Sequence, residues 1–192
     1  GQSESNLRSV IATAEAIAPC VLFIDEIEKG FGGNAGSANT DGGTSARVFG
    51  SLLNWLQDKT APVFVVATAN DVSALPPEFL RAGRWDALFS VDLPTNAERA
   101  LIWEIQLKRH GRDAAGFDTE ALARATDGYT GAEIEQVVVE GLFEAFAKDQ
   151  QPSTLGMSMA TEKVIPLSQT MPKPIQQLRD WANGRARPAS SS

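Results

Sequence analysis

The chain has 192 residues, 43% hydrophobic and 21% charged, enough apolar material to bury the core of one medium domain or two small ones. A net charge of −7 argues against a surface-wide electrostatic grip on nucleic acid or an anionic membrane, while leaving room for a local basic groove. Cys20 is the only cysteine, which excludes an internal disulfide and a thiolate metal site, and no apolar run approaches the roughly 18 residues of a bilayer span. No basic-then-apolar leader precedes the first helix, so the chain reads as soluble and at home in a reducing, cytosol-like compartment.

Leu7, Val10, Ile11, Ala14 and Ile17 recur at helical spacing over 4–17, and Pro19 ends that helix just before a strand. The strand, Val21-Leu22-Phe23-Ile24, lacks alternation and suits a central parallel strand buried on both faces, with Cys20 as an inert buried thiol at its start. It ends in two adjacent carboxylates, Asp25 and Glu26. Ligands of open α/β sheets bind beyond the carboxyl ends of the strands, where Asp25 could hold a hydrated magnesium ion and Glu26 could orient or deprotonate a water. A strand that stops at a solvated Asp-Glu turn would read the same way.

GFGGNAGSANTDGG, at 30–43, offers almost no core-forming side chains and is expected to be a mobile loop. A helix is expected at about 45–58, with Val48, Phe49, Leu52, Leu53 and Leu56 on one face, then a second buried strand, PVFVVATA, at 62–69. Asn70 follows it; its amide could position a water and contact a γ-phosphate, or it could form an Asx turn. Pro76-Pro77 is expected to start a short helix carrying Leu80, Arg81 and Arg84, before a third strand, LFSVDL, at 88–93. If that helix continues, Arg81 and Arg84 share a face and suit charge stabilisation on a transferring phosphate; the alternative is two solvated helix-end arginines.

Strand and helix alternate to this point, the pattern of a parallel sheet. After Pro94 only helices are expected, at about 97–109, 118–126 and 131–148, then a proline-containing link at 152–174 and a last helix near 175–183. This places a domain boundary at 94–96. Trp55, Trp103 and Trp181 fall on apolar helical faces and are expected in cores, His110 reads as a solvated helix end, and ARPASSS at the end reads as frayed.

These ordered signals resemble an AAA-type ATPase over nearly the whole chain. VLFIDE at 21–26 looks like the Walker B strand and VVATAND at 65–71 like the sensor-1 strand. LPPEFLRAGRWD at 75–86 looks like the second region of homology with its arginine fingers, and ATDGYTGAEIEQ at 125–136 like the lid segment that closes over the nucleotide base. The GTSARVFG segment and the PLSQTM and RARPAS pieces near the end resemble stand-alone AAA proteins of cyanobacteria and plastid genomes.

The resemblance implies an α/β fold: a partial P-loop NTPase parallel sheet, strands 3, 4 and 5 of a 5-1-4-3-2 order, followed by an all-helical lid. Residues 1–94 would be the distal part of the nucleotide-binding domain and 95–192 the lid and tail. It implies ATP and Mg2+ as ligands, with Asp25 on the metal, Glu26 and Asn70 at the water and γ-phosphate, and Arg81 and Arg84 acting in a neighbouring subunit's site. Gly131 and Ala132 match small positions beside adenine. The family often has a histidine four residues after an isoleucine in the first lid helix, near the ribose; counting from Ile102, this chain has Gln106, which can still hydrogen-bond there. Trp85 stands where phenylalanine is usual. The implied assembly is a homo-oligomer, a hexamer, acting on a protein client in the cytoplasm or plastid stroma, with no membrane and no nucleic acid.

One departure matters. No GxxxxGK[ST] occurs in the 192 residues, so there is no phosphate-cradling loop or its lysine. The chain looks truncated at its N-terminus, and the third strand would lack its neighbour, leaving backbone groups unpaired. The isolated chain is therefore expected to fold poorly and to be inactive alone. Two functions follow: a ring ATPase that remodels a client when intact, or a non-hydrolysing AAA-like scaffold. A helicase-like or transporter ATPase is disfavoured by the paired arginines and the lid.

Overall fold

The computed structural model describes residues 2–30, 42–81 and 83–190, with the backbone alone for 2, 3 and 42–49. The glycine-rich segment expected as a loop lies outside the described residues over 31–41, as do the side chains of Val48 and Phe49. Two compact units divide between Leu88 and Phe89. The fold is mixed, with a short parallel sheet and many helices.

In the first unit, α1 (Gln2–Ala16) leads into β1 (Cys20–Ile24), and α2 (Gly42–Asp58) into β2 (Val63–Ala67). The strands pair in parallel, Cys20 opposite Val63 through Ile24 opposite Ala67. α1 packs on α2 and β1, and Trp55 Nε1 donates to Glu15 Oε1 at 2.7 Å. Ile27, Leu52, Leu53, Leu75 and Phe79 form the core, with Ile24, half-buried Trp55, Ala67 and Trp85 packed against it.

The expectation of strands buried on both faces is corrected here. Burial along β1 and β2 alternates, and Val21, Phe23, Phe64 and Val66 share an exposed face, Val21 at 66% and Phe64 at 65%. The reason is that the described core, built with α2, lies against the Ile24 and Ala67 side alone. Cys20 is half-buried rather than buried, its Sγ 3.3 Å from Ala14 O.

The short helix expected after Pro76-Pro77 does not form among the described residues. Single turns stand there, Phe79 N donating to Pro76 O at 2.8 Å and Leu80 N to Pro77 O at 3.3 Å. Gly83 then takes φ +91, a left-handed conformation that breaks any helical continuation. Phe79 and Trp85 stack tilted, centroids 5.3 Å apart, and Trp85 Nε1 donates to Phe79 O at 3.0 Å.

In the second unit the third strand shrinks to β3 (Phe89–Ser90), parallel to β4 (Arg187–Pro188). Just beyond it, the Asp92 carboxylate accepts from Leu93 N and takes the Arg179 guanidinium. The same pairing corrects the frayed tail: residues 187–190 are held, with Ala189 N donating to Ser90 O at 2.9 Å. α3 (Asn96–Arg109) and α5 (Gly131–Ala147) each begin at a reciprocal capping box, Thr95 with Glu98 and Thr130 with Glu133; α4 (Thr119–Ala125) begins at Asp118. The link expected at 152–174 is itself largely helical: α6 (Thr154–Ala160), capped by Ser153, then α7 (Leu167–Thr170), before α8 (Pro172–Ala182).

Trp103, Leu107, Leu122, Ile134, Val137 and Met157 are fully buried at the centre of this unit. Each such side chain contributes about 1.5–3 kcal/mol by leaving water. Trp103 Nε1 donates to Thr126 Oγ1 at 3.1 Å, satisfying its one polar atom. Gly141 lets α6 approach α5, since a Cβ there would sit 2.5 Å from Met157 Sδ. The Tyr129 hydroxyl lies 2.7 Å from Val164 O and 2.9 Å from Thr161 O, so it ties the segment after α6 to the start of α5.

Candidate functional site

The parallel register brings the ends of β1 and β2 together. With Ile24 opposite Ala67, Thr68 N donates to Ile24 O at 3.0 Å and Ile27 N to Thr68 O at 2.9 Å. Beyond that last rung, side chains take over. Thr68 Oγ1 donates to Asp25 Oδ1 at 2.5 Å and accepts from Glu26 N at 2.9 Å. Asn70 Nδ2 donates to Glu26 Oε1 at 3.0 Å. The other Glu26 oxygen pairs with Lys29 Nζ, and that bond is the main cause holding the Lys29 ammonium above its ordinary pKa, with Glu28 and Asp25 adding to it.

The Asx turn at this point belongs to Asp71, not Asn70: Asp71 Oδ1 accepts from Ser73 N at 2.9 Å, and the Ser73 hydroxyl beside it is the leading cause of its lowered pKa. Asn70 is thereby left to face Glu26. Glu26 itself has φ +48, a conformation that costs a non-glycine residue about 1–3 kcal/mol and persists only where neighbours hold it. Here Thr68 holds its backbone, Asn70 and Lys29 its carboxylate.

Glu28 is the third acid drawn into this cluster. It is 7% exposed, its Oε1 accepts from Asn70 N at 3.0 Å, and its Oε2 has no hydrogen-bond partner among the described residues. Asn70 is thus bound through its backbone by Glu28 and through its amide by Glu26. Thr68, Glu28 and Lys29 were not among the residues singled out by sequence reasoning.

Arg81 and Arg84 do not share a helical face, because the segment is a series of turns. Arg84 Nη1 donates to Glu78 O at 2.7 Å. Arg81 is exposed, without a hydrogen bond or ion pair among the described residues.

In the second unit, a pocket of about 660 Å³ is lined by Leu93, Pro94, Ile102, Gly131 and Leu178, with the Asp92–Arg179 pair at its wall. Ile102 and Gly131 meet there: a Cβ on Gly131 would lie 3.9 Å from Ile102, an ordinary contact, so packing within the chain does not require glycine at this position. Gln106 and Ala132 are not among the lining residues. Gln106 is 7% exposed with Oε1 unpartnered among the described residues, and Ala132 is exposed. His110 caps the end of α3, 3.9 Å from Glu135.

The donor set suits magnesium better than a protein-caged metal. Among the described residues no group of three acids, histidines or cysteines converges, whereas magnesium commonly binds through one or two carboxylates with waters and substrate phosphates completing its shell. Asp25, fixed through one oxygen by Thr68, fits that requirement.

A parallel α/β unit whose strand ends gather Asp25, Glu26, Thr68 and Asn70, followed by a mainly helical unit, defines a nucleotide-binding α/β protein with a helical lid. Residues 1–93 match the model of the ATPase family associated with various cellular activities (AAA), and residues 116–159 match the AAA+ lid domain. The chain belongs to the AAA family.

It is 43% identical over 192 residues to the "Uncharacterized AAA domain-containing protein ycf46" of Guillardia theta, covering 99% of this chain and 38% of that relative. The protein of the same name from Pyropia yezoensis is also 43% identical over 192 residues, covering 99% of this chain and 39% of that relative. The chain thus spans under two-fifths of the length of these relatives. Among solved structures, the FIGL-1 AAA domain in complex with ADP matches with a TM-score of 0.72 at 20% identity, covering 97% of this chain and 64% of that one. That likeness concerns the fold.

Proposed function

We propose that the parent protein binds and hydrolyses ATP with Mg2+, and that it uses the reaction as a ring oligomer, a hexamer, to remodel a protein client. Residues 1–94 are then the distal part of the nucleotide-binding domain and 95–192 the lid and tail. The observation that carries this reading is the network joining Asn70 to Glu26 and Thr68 to Asp25 across the two strand ends. In a strand that simply stopped at a solvated turn, those four side chains would have no reason to converge.

Asp25 would hold the magnesium ion, which supplies charge neutralisation at the transferring phosphoryl group. Asn70, held at both its backbone and its amide, orients the Glu26 carboxylate toward the attacking water and offers its own amide near the γ-phosphate. Glu26 accepts the proton of that water. Lys29 sits on one of its oxygens in an exposed pair, which exchanges readily with solvent. Arg81 and Arg84 act in the neighbouring subunit's site, where a guanidinium matches phosphate oxygens bidentately. Ile102 and Gly131 form the wall against which the base stacks, while Ala132 and Gln106, which lie outside that pocket's lining, are assigned to the nucleotide by the family resemblance alone. The 192 residues hold no GxxxxGK[ST] phosphate-cradling loop, so on this reading they do not hydrolyse ATP by themselves. The setting is the cytoplasm or a plastid stroma.

Steady-state phosphate release by the full-length protein, wild type against Glu26→Gln, tests the reading. Turnover in the wild type and its loss in the variant support it. No release from the wild type, with assembly intact, is the result a non-hydrolysing scaffold predicts.

A further inference from the structure

Three features converge on one hydroxyl. Glu26 adopts φ +48, which a side-chain-bearing residue rarely does without support. Its amide N–H donates to Thr68 Oγ1 at 2.9 Å. The same oxygen donates its hydrogen to Asp25 Oδ1 at 2.5 Å.

We infer that Thr68 is a positioning residue of the hydrolytic site, whose hydroxyl holds Asp25 and the left-handed Glu26 in place together. This rests on the reading of Asp25 and Glu26 as metal and water residues. Its chemistry is specific to a hydroxyl. Valine has the same shape and can neither accept from Glu26 nor donate to Asp25. Serine can do both. Alanine has neither the oxygen nor the bulk.

Placement at the first position after β2 is what allows the double role. Thr68 N and O continue the parallel ladder to Ile24 O and Ile27 N, so its Cα is fixed by the sheet and its side chain projects over the turn made by Asp25 and Glu26. One oxygen therefore links the strand end to both acids. By occupying Asp25 Oδ1 it leaves the other Asp25 oxygen to face a metal, as outer-shell partners do for coordinating carboxylates.

The test uses the full-length protein with Thr68→Val and Thr68→Ser. Turnover in the valine variant is expected to fall about 10²-fold, the scale of a misplaced reacting group. The magnesium concentration for half-maximal turnover is expected to rise about 10-fold or more, while ATP affinity in chelator stays within about 2-fold, a difference too small to count as a lost contact. Amide hydrogen exchange, read without metal or nucleotide, is expected to speed up about 10-fold at Glu26 in the valine variant. The serine variant returns all of these toward wild type. Wild-type exchange at Glu26 in the valine variant overturns the inference, as does a serine variant as impaired as valine, since shape and not the hydroxyl would then be at work. If the wild type hydrolyses no ATP, the hydrolytic reading fails, and the exchange comparison alone decides whether Thr68 clamps Glu26. Should the valine variant not melt cooperatively, the alanine and serine pair makes the same comparison.

Discussion

Asn70 Nδ2 donates to Glu26 Oε1 at 3.0 Å, joining two residues 44 positions apart in the chain. The adjacent turn is closed by Asp71 and not by Asn70, which leaves the Asn70 amide to Glu26. Replacing Asn70 by alanine removes the donor and leaves the backbone bond to Glu28 intact. Turnover of the full-length protein is expected to fall about 10²-fold, the usual cost of one aimed donor, with ATP affinity and melting temperature little changed. A proportional rise in KM with kcat preserved would instead assign Asn70 to binding.

Arg81 and Arg84 lie on either side of Gly83, and among the described residues neither has a hydrogen bond or ion pair to Asp25, Glu26 or Asn70. Action in a neighbouring subunit's site predicts that Arg84→Ala lowers turnover about 10³-fold while nucleotide binding persists. Mixing Arg84→Ala subunits with Glu26→Gln subunits should then restore part of the activity, because some shared sites receive one intact partner from each. Absence of any recovery on mixing counts against a role in trans.

Glu28 carries a stability prediction. Its buried Oε1 satisfies Asn70 N, so Glu28→Ala leaves that N–H without its acceptor and should cost about 1–3 kcal/mol. Glu28→Gln keeps the acceptor for Asn70 N and puts an amide nitrogen in place of the oxygen that lacks a partner among the described residues, so its stability should lie closer to wild type than that of the alanine variant. Denaturant unfolding of the full-length variants checks the order. A glutamine variant as unstable as alanine would show that the second oxygen has a partner of its own.

Much of this site was legible in the chain order of residue types. An unbroken apolar run that ends in Asp25-Glu26, and a second one followed by Asn70, mark two strand ends by hydrophobicity alone. Thr68 was not legible, since a threonine at a strand end is ordinary and its role depends on the register that sets Ala67 opposite Ile24. Glu28 was hidden for a similar reason: whether an acid one step past Ile27 turns inward is decided by the turn, not by spacing. The helix expected after Pro76-Pro77 gives way to turns, and Gly83 at φ +91 breaks any helical continuation, a backbone choice that residue spacing does not report. The tail looked frayed for want of apolar periodicity, yet Arg187-Pro188 is held by backbone pairing to Phe89-Ser90, which periodicity does not report.

The Asp92–Arg179 pair predicts a pH dependence. Arg179 Nε and Nη2 reach the Asp92 carboxylate at 2.8 Å, and that guanidinium is the leading cause holding Asp92 below its ordinary pKa of 3.8. A carboxyl with a depressed folded-state pKa contributes stability that is fully present above its unfolded value and is lost as pH falls through the folded one. Asp92→Asn should therefore be less stable than wild type at neutral pH, by about 0.5–1 kcal/mol for so exposed a pair. The gap should close below pH 3.8, as wild-type Asp92 protonates. A gap that stays constant through that range would assign the loss to packing around the pocket rather than to the charge.

The most direct test of the account is the identity of the nucleotide held by Glu26→Gln in the full-length protein. After incubation with ATP and Mg2+, the protein is separated from free nucleotide, quenched and its bound nucleotide resolved by chromatography. If Glu26 accepts the water's proton, the variant retains ATP, while the wild type yields ADP and turns over about 10²–10⁴ times faster. Recovery of ADP from the variant at the wild-type rate would contradict the assignment of Glu26 and, with it, the hydrolytic role of the Asp25–Thr68–Asn70 network.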